Sequence, residues 1–251
     1  MYLTYKIKKT YLPAIIVFLF FVAPYAVVST QSLKKQPNMV KEDGIIEMFS
    51  AICWFLAAIF LFYLFIKSKS DNKKYFLRTK KNYFFLLLSL LFIFCCGEEI
   101  SWGQRIFGIE TPQSIHKINR QGEINLHNLS IFHGTDKDNA SKKGIERWYT
   151  LGRLFSLFCF AYGILVPILN KLSSKISKVI RTMNLPVVPL WIGAFLLVNY
   201  LLSRIFGRAA LIIPHAAVEI KELNIAFLFL IASISFLIAY KKDKAATIAD
   251  A

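Results

Sequence analysis

The chain has 251 residues, of which 56% are apolar and 15% aromatic, and its formal net charge is +16. Water-soluble domains are less apolar than this, and they do not collect apolar residues in blocks of about 20. The basic residues cluster in short loops between such blocks, which excludes nucleic acid as the reason for the positive charge. We therefore expect an all-α, polytopic transmembrane helical bundle without a nucleic-acid partner.

Six apolar blocks predict one transmembrane domain over residues 1–240. A block of about 20 residues crosses a bilayer as a helix, and none of the six alternates with the period of a barrel strand. The blocks are 11–30, 45–66, 82–101, 149–170, 186–206 and 222–240. The polar tail, 241–251, is predicted to be disordered and cytoplasmic.

The charges of the loops predict the orientation. Loops 1–10, 67–81, 171–185 and 241–251 carry 17 Lys and Arg against three acids, whereas the alternate loops carry 13 against 12. Short basic loops mark the cytoplasmic side of a bacterial inner membrane, so both termini are expected inside. The first block resembles a signal peptide, but its length and the five later blocks favour an uncleaved anchor.

A long segment, 102–148, follows the third block on the predicted outer side. It contains Ile115, Ile118 and Ile131 and is too apolar for a free loop. We expect it to lie at the interface or to fold back as a cap over the helix ends. Thr111 and Pro112 are a typical helix start, with Pro at the first position.

Two adjacent glutamates, Glu98 and Glu99, end the third block. A helix that enters after Lys81 needs about 20 residues to cross, so both carboxylates lie inside the bilayer near its outer edge. Carboxylates at that depth are costly unless paired, protonated or bound to a cation, and they mark a functional site. If the helix continues, Trp102 and Arg105 share a face with Glu98.

The other charges at membrane depth are expected at the same outer end. Glu47 begins the second block, Arg153 begins the fourth, and Arg204 ends the fifth. The inner half of each block is apolar, which disfavours a polar pathway across the membrane. The alternative is that these arginines only form structural ion pairs with Glu98 and Glu99.

A stripe of polar side chains begins the sixth span, and the outer segment adds histidines. Pro214 suits the first position of a helix, which places three later side chains on one face at i, i+4 and i+7. They are His215, Glu219 and Glu222. The outer segment adds Glu123, His127 and His133. Such a cluster can bind a divalent metal ion and activate water, or act as acid and base.

The leading hypothesis is a membrane-embedded hydrolase or transferase that acts on a lipid or lipid-linked substrate. Glu98 or Glu99 is the expected base or metal ligand, and Arg105 or Arg153 holds an anionic head group. The remaining members are expected as ligands or proton carriers: His127, His215, Glu219 and Glu222. The alternatives are an ion-coupled transporter, and a non-catalytic assembly protein whose buried charges are structural.

Two motifs carry a resemblance to known families. Glu42-Asp-Gly-x-x-Glu47 and Gly97-Glu-Glu-Ile-Ser-Trp-Gly-Gln-Arg-Ile-Phe-Gly108 resemble segments of uncharacterised bacterial multi-pass membrane proteins. The Glu-Glu pair followed by Arg105 is also similar to CAAX-type intramembrane proteases, with His215 in place of a later histidine. Five residues separate Glu99 from Arg105 where that family has three, and Glu219 stands where it has Asn. Alkaline-ceramidase-like hydrolases also pair outer-facing acids with metal-binding histidines, although their Ser/His and His-x3-His motifs do not occur here.

Overall fold

The computed structural model describes residues 11–40, 44–69, 75–120, 122–132, 144 and 150–249, with side chains from Val17 to Ala245. Within these ranges the chain is helical, and its β structure is one isolated bridge between Asn119 and Leu129. Helices are expected here because a chain in hydrocarbon must satisfy its backbone polar groups within each segment.

The long helices follow the apolar blocks closely. Except for the last one, which begins well before its block at Pro214 and continues to Ala249, they begin and end within a few residues of the predicted bounds, because lysines, prolines and polar residues flank each block. In chain order the helices are α1 (Tyr11–Ser29), α2 (Gln36–Met39), α3 (Ile45–Lys67), α4 (Tyr83–Glu99), α5 (Gln113–Ile118), α6 (Leu151–Phe158), α7 (Val166–Leu172), α8 (Ser174–Met183), α9 (Leu190–Arg208) and α10 (Pro214–Ala249). A π-helical segment, Cys159–Leu165, joins α6 to α7.

Four of the described helices are long and apolar enough to cross a membrane. They are Ile45–Lys67, Leu151–Leu172, Leu190–Arg208 and Pro214–Ala245. The first block contributes the shorter apolar helix Val17–Ser29, and the third block forms a helix of 17 residues. The all-helical class is thus confirmed, with four helices of membrane-spanning length and composition, while the count of six spans and the orientation stay predictions.

The core of the bundle lies where α3 packs along both α4 and α10. Trp54, Phe92 and Phe229 meet there, with ring centroids 4.9 to 5.9 Å apart. α9 crosses the π-helical segment at two glycines, since a Cβ on Gly193 would lie 2.6 Å from the carbonyl oxygen of Gly163. Small residues at such a crossing let two membrane helices approach backbone to backbone.

Successive long helices alternate in direction, so the charged residues gather at one end. Ser50, near the start of α3, donates a 2.8 Å hydrogen bond to Glu99 at the end of α4. At the other end, the Asn82 backbone N–H donates to the Ser68 hydroxyl at 2.9 Å, and its side chain donates to the Asn184 carbonyl at 2.8 Å. The carboxylates therefore lie at the end of the bundle that contains Ser50 and Glu99, as expected.

The structure differs from the sequence predictions at three helix ends. α4 stops at Glu99, so Trp102 and Arg105 do not continue a face with Glu98. The reason is a left-handed stretch in which Ser101, Trp102 and Gly103 have φ of 45°, 54° and 78°. α5 begins at Gln113, after Pro112.

The third difference is the tail. Residues 241–249 extend α10 rather than forming a disordered segment. Lys and Ala are strong helix formers, so a helix already nucleated in the bundle continues through them.

Candidate functional site

A cavity of about 890 Å³ lies at the end of the bundle where α4 ends and α10 begins. Its walls come from α3, α4, α6 and α10, and residues of the 120–132 stretch cover it. Cavities that hold small-molecule ligands and cofactors have volumes of this order. The size of this cavity and the charged side chains in its lining make it the candidate site.

Glu98 is tied by four hydrogen bonds to the covering segment, by which we mean the described residues of 102–132. Its Oε1 accepts from the Trp102 indole N–H at 2.7 Å. Its Oε2 accepts from the backbone N–H groups of Leu126 and His127, each at 2.8 Å, and contacts the His127 imidazole Nδ1 at 3.1 Å. The residue is 8% exposed. A carboxylate with this many donors positions its neighbours and has little capacity left to act as a base.

His127 is the imidazole of the site. Partial removal of water from the ring would lower its pKa, but the hydrogen bond to Glu98 and the negative charges of Glu222, Glu98 and Glu99 outweigh this and raise that pKa above its usual value. Because Nδ1 is bound to Glu98, the other ring nitrogen is the one left to exchange a proton. About half of the side-chain surface is exposed (47%), so a ligand can reach it.

A second buried carboxylate, Glu123, organises the covering segment. It forms an ion pair with Arg105. Its Oε2 accepts from the Ser101 hydroxyl at 2.5 Å and from the Asn125 amide at 2.8 Å. The Asn119 amide donates to the Asn125 carbonyl at 3.0 Å. Described residues of the 102–148 segment thus fold back onto the end of α4 around a hydrogen-bonded polar core.

The left-handed turn after α4 is explained by these contacts. It turns the Trp102 ring back over Gly97, where an added Cβ would lie 2.9 Å from the indole. It also brings Ser101 to Glu123 and lets the Gln104 side chain accept from the Ile124 backbone N–H at 2.7 Å. The strain of positive φ at Ser101 and Trp102 is offset by bonds that only this conformation can make.

Further carboxylates face the cavity from the helices. Glu99 accepts a hydrogen bond from the Ser50 hydroxyl. On α10, the Oε1 atom of Glu219 lies 3.5 Å from the Nδ1 atom of His215. Glu222, one turn later, lies 3.4 Å from the Lys221 ammonium. The Lys221 ammonium also lies 5.9 Å from the ring centroid of Tyr200. The site is therefore rich in carboxylates, with imidazole and ammonium groups among them.

Most of the predicted site residues line this one cavity. They are Glu47, Glu98, Glu99, Glu123, His127, Arg153, His215, Glu219 and Glu222. Arg105 instead binds Glu123, and Arg204 is exposed and outside the lining. Glu42, Asp43 and His133 lie outside the described residues.

Three contributors were not assigned these roles from sequence: Ser50, Lys221 and Asn125. The role of Lys221 could have been predicted from the sequence, because Lys221 is a charged residue beside Glu222 at membrane depth. The roles of Ser50 and Asn125 could not have been predicted from the sequence, because they depend on side-chain contacts that form only in the folded chain. Trp102 is also a hydrogen-bond donor to Glu98, although not as a residue on the same continuous helix.

The proposed metal ligands share one face of α10, as the spacing predicts. In the part of the chain that the structure describes, no three His, Cys, Asp or Glu side chains are grouped so as to hold a metal ion. A metal at His215, Glu219 and Glu222 stays a prediction from sequence.

Comparison of this chain with protein-family models, with curated proteins and with solved structures gave no match. The fold and the cavity by themselves define an all-helical protein with helices of membrane-spanning length and a carboxylate–imidazole site at one end of the bundle.

Proposed function

We propose that the protein is a membrane-embedded hydrolase or transferase that acts on a lipid or lipid-linked substrate. The observation that carries this proposal is the Glu98–His127 pair at the mouth of the cavity. A carboxylate that holds an imidazole by Nδ1 leaves the second ring nitrogen to take a proton from water or from a substrate hydroxyl. The same nitrogen can later return that proton to a leaving group.

The two adjacent glutamates have different roles in the proposed mechanism. Glu98 positions His127, because its oxygens already accept four hydrogen bonds. Glu99 accepts the Ser50 hydroxyl and faces the cavity, so it is the second acid or base. Arg153 lines the same cavity and would bind an anionic head group or stabilise developing negative charge.

The lining of the cavity supports a lipid as the substrate. Its polar residues lie at the helix ends, whereas Trp54, Leu91, Phe94 and Phe155 line another part of it. A site with polar and apolar parts suits an amphiphile, and three of the four helices that form it, α3, α6 and α10, belong to helices with the length and composition of membrane spans. This arrangement favours an enzyme over a carrier, because a carrier needs polar groups throughout the membrane.

The proposal includes six spans with both termini cytoplasmic in a bacterial inner membrane, which places the cavity at the outer leaflet. The asymmetry of basic residues between alternate loops supports this orientation. Reporter fusions at residues 75 and 135 should report cytoplasmic and external positions. The same location for both would contradict this topology.

The experiment for the activity uses purified protein in nanodiscs made from bacterial lipid extract, with mass spectrometry of the lipids over time. We expect a lipid product from the wild type and a rate lower by about 10²- to 10⁴-fold with His127→Ala. His116→Ala is the matched control, because His116 is an exposed histidine of the same segment outside the cavity lining. Absence of any product, or equal rates in the two variants, would contradict the proposal.

Glu99→Gln tests the second acid or base. A glutamine oxygen still accepts the Ser50 hydrogen bond, so folding should survive while lipid conversion falls. If Glu99→Gln converts lipid at the wild-type rate, Glu99 is not an acid or base in the reaction.

A further inference from the structure

The cavity extends from a polar mouth to an apolar floor. Glu99 and Glu47 lie near the mouth, at the end of α4 and the start of α3. At 1.5 Å per helical residue, Leu91 lies about 12 Å deeper along α4. Trp54 lies about 10 Å deeper along α3. The cavity therefore extends along the helices for about two turns. On α3 and α4, the charged side chains line only its outer part.

One wall of the cavity, α6, is not buried in the bundle. None of its described residues is buried, and Leu154 and Leu157 are 46% and 62% exposed. α3, by contrast, buries residues along its whole length. α6 belongs to a helix of membrane-spanning length, so in the proposed topology the medium around it is hydrocarbon. The deep part of the cavity is therefore separated from the bilayer by a single loosely packed wall.

The floor of the cavity is a set of aromatic rings. Phe158, the last residue of α6, stacks on Tyr162 at 5.5 Å and on Phe229 at 5.8 Å between ring centroids. Trp54 lies 5.9 Å from the same Phe229, which is 1% exposed. Phe158 and Trp54 line the cavity and pack against the hydrophobic core, so we take these two rings as its inner end.

We propose that this apolar end holds the unbranched hydrocarbon tail of the substrate, and that Phe158 sets the longest tail that fits. The inference rests on the proposed lipid function and adds the tail subsite and its limit. Water in an apolar pocket finds few hydrogen-bond partners, whereas a hydrocarbon tail makes dispersion contacts with the lining. The tail reaches it from the bilayer past α6, while the head group stays beside His127 and Glu99.

The size of residue 158 then determines selectivity. A tail too long for the apolar end must displace a stacked ring or move its head group away from His127 and Glu99, and either change should weaken binding by about 10-fold or more. Phe158→Ala removes the ring and should admit longer tails. Phe158→Trp adds volume at the same place and should exclude tails that the wild type accepts.

The experiment measures binding rather than turnover. Protein in nanodiscs is labelled with a photoreactive fatty alcohol, and saturated 1-acyl lysophospholipids of increasing tail length compete for the label. Labelled residues are located by peptide mass spectrometry. Phe160→Ala is the matched control, because Phe160 is in the adjoining π-helical segment, is 49% exposed and is outside the lining.

We expect label on cavity residues of α4 or α6 and a sharp loss of competition beyond one tail length. That limit should move to longer tails in Phe158→Ala, to shorter tails in Phe158→Trp, and not at all in Phe160→Ala. If Phe158→Ala does not fold, the opposite shift in Phe158→Trp still tests the inference.

Three results would overturn the inference. One is the same limit in every folded variant, and another is better competition by a branched polyprenyl phosphate than by any acyl tail. Either leaves the lipid function intact, since conversion of lipids by the wild type is measured separately. The third is label only outside the cavity together with no lipid conversion, which would remove the proposed function as well.

Discussion

The Oε2 atom of Glu98 accepts the backbone N–H of His127 at 2.8 Å and contacts the Nδ1 atom of the same residue at 3.1 Å. One carboxylate oxygen therefore fixes both the backbone and the ring of a residue that lies 29 positions later in the chain. This contact attaches the covering segment to α4 and orients the only imidazole that the structure places against Glu98 among its described residues.

Glu98→Gln should destabilise the protein. The amide nitrogen of glutamine is a donor, and it must face either the Trp102 indole N–H or the two backbone N–H groups of Leu126 and His127. A buried donor without a partner costs about 1–3 kcal/mol. The thermal midpoint of unfolding in nanodiscs should fall, whereas Glu110→Gln, an exposed glutamate of the covering segment, should leave it unchanged. Equal midpoints would show that Glu98 does not hold the segment.

The stability of the docked segment should depend on the protonation of His127. Its pKa is raised in the folded protein, so protonated His127 stabilises the fold. That contribution is complete below the ordinary histidine pKa of about 6.5 and is lost as the pH rises through the higher folded value. The difference in thermal midpoint between wild type and His127→Gln should therefore shrink from about pH 6 to pH 9. A difference that grows with pH would contradict this assignment.

The membrane helices and most of the site residues were predictable from the sequence. The apolar blocks give the long helices, and the spacing after Pro214 puts His215 and Glu219 on one face of α10. The alternation of helix direction then gathers the charges at one end. These features follow from helix length and periodicity, which are local properties of the chain.

The roles within the site were not predictable. The two adjacent glutamates cannot be told apart in the sequence, yet Glu98 accepts four hydrogen bonds from Trp102, Leu126 and His127, whereas Glu99 accepts the Ser50 hydroxyl. That difference depends on the left-handed turn at Ser101 and Trp102, which propensity disfavours and which only the contacts with Glu123 and Glu98 stabilise. The pairing of Arg105 with Glu123 rather than Glu98 has the same cause.

Gly97 should be required for the position of Trp102. A Cβ at Gly97 would lie 2.9 Å from the indole ring, so Gly97→Ala must push the ring away from Glu98. Overpacking of this kind costs about 1–3 kcal/mol. Gly152→Ala is the matched control in another helix, because nothing lies within 4 Å of an added Cβ there. We expect a lower thermal midpoint for Gly97→Ala and an unchanged or higher one for Gly152→Ala. The reverse order would contradict the contact.

The central claim is that Glu98 and His127 act as one acid–base unit, and a double-mutant cycle on lipid conversion tests it most directly. Initial rates are measured for wild type, Glu98→Gln, His127→Gln and the double variant at matched amounts of folded protein in nanodiscs. Residues that act as a unit have non-additive effects. We predict that His127→Gln loses most of the rate and that the double variant is no slower than His127→Gln alone. Losses that multiply in the double variant would show that the two residues act independently and would contradict the account.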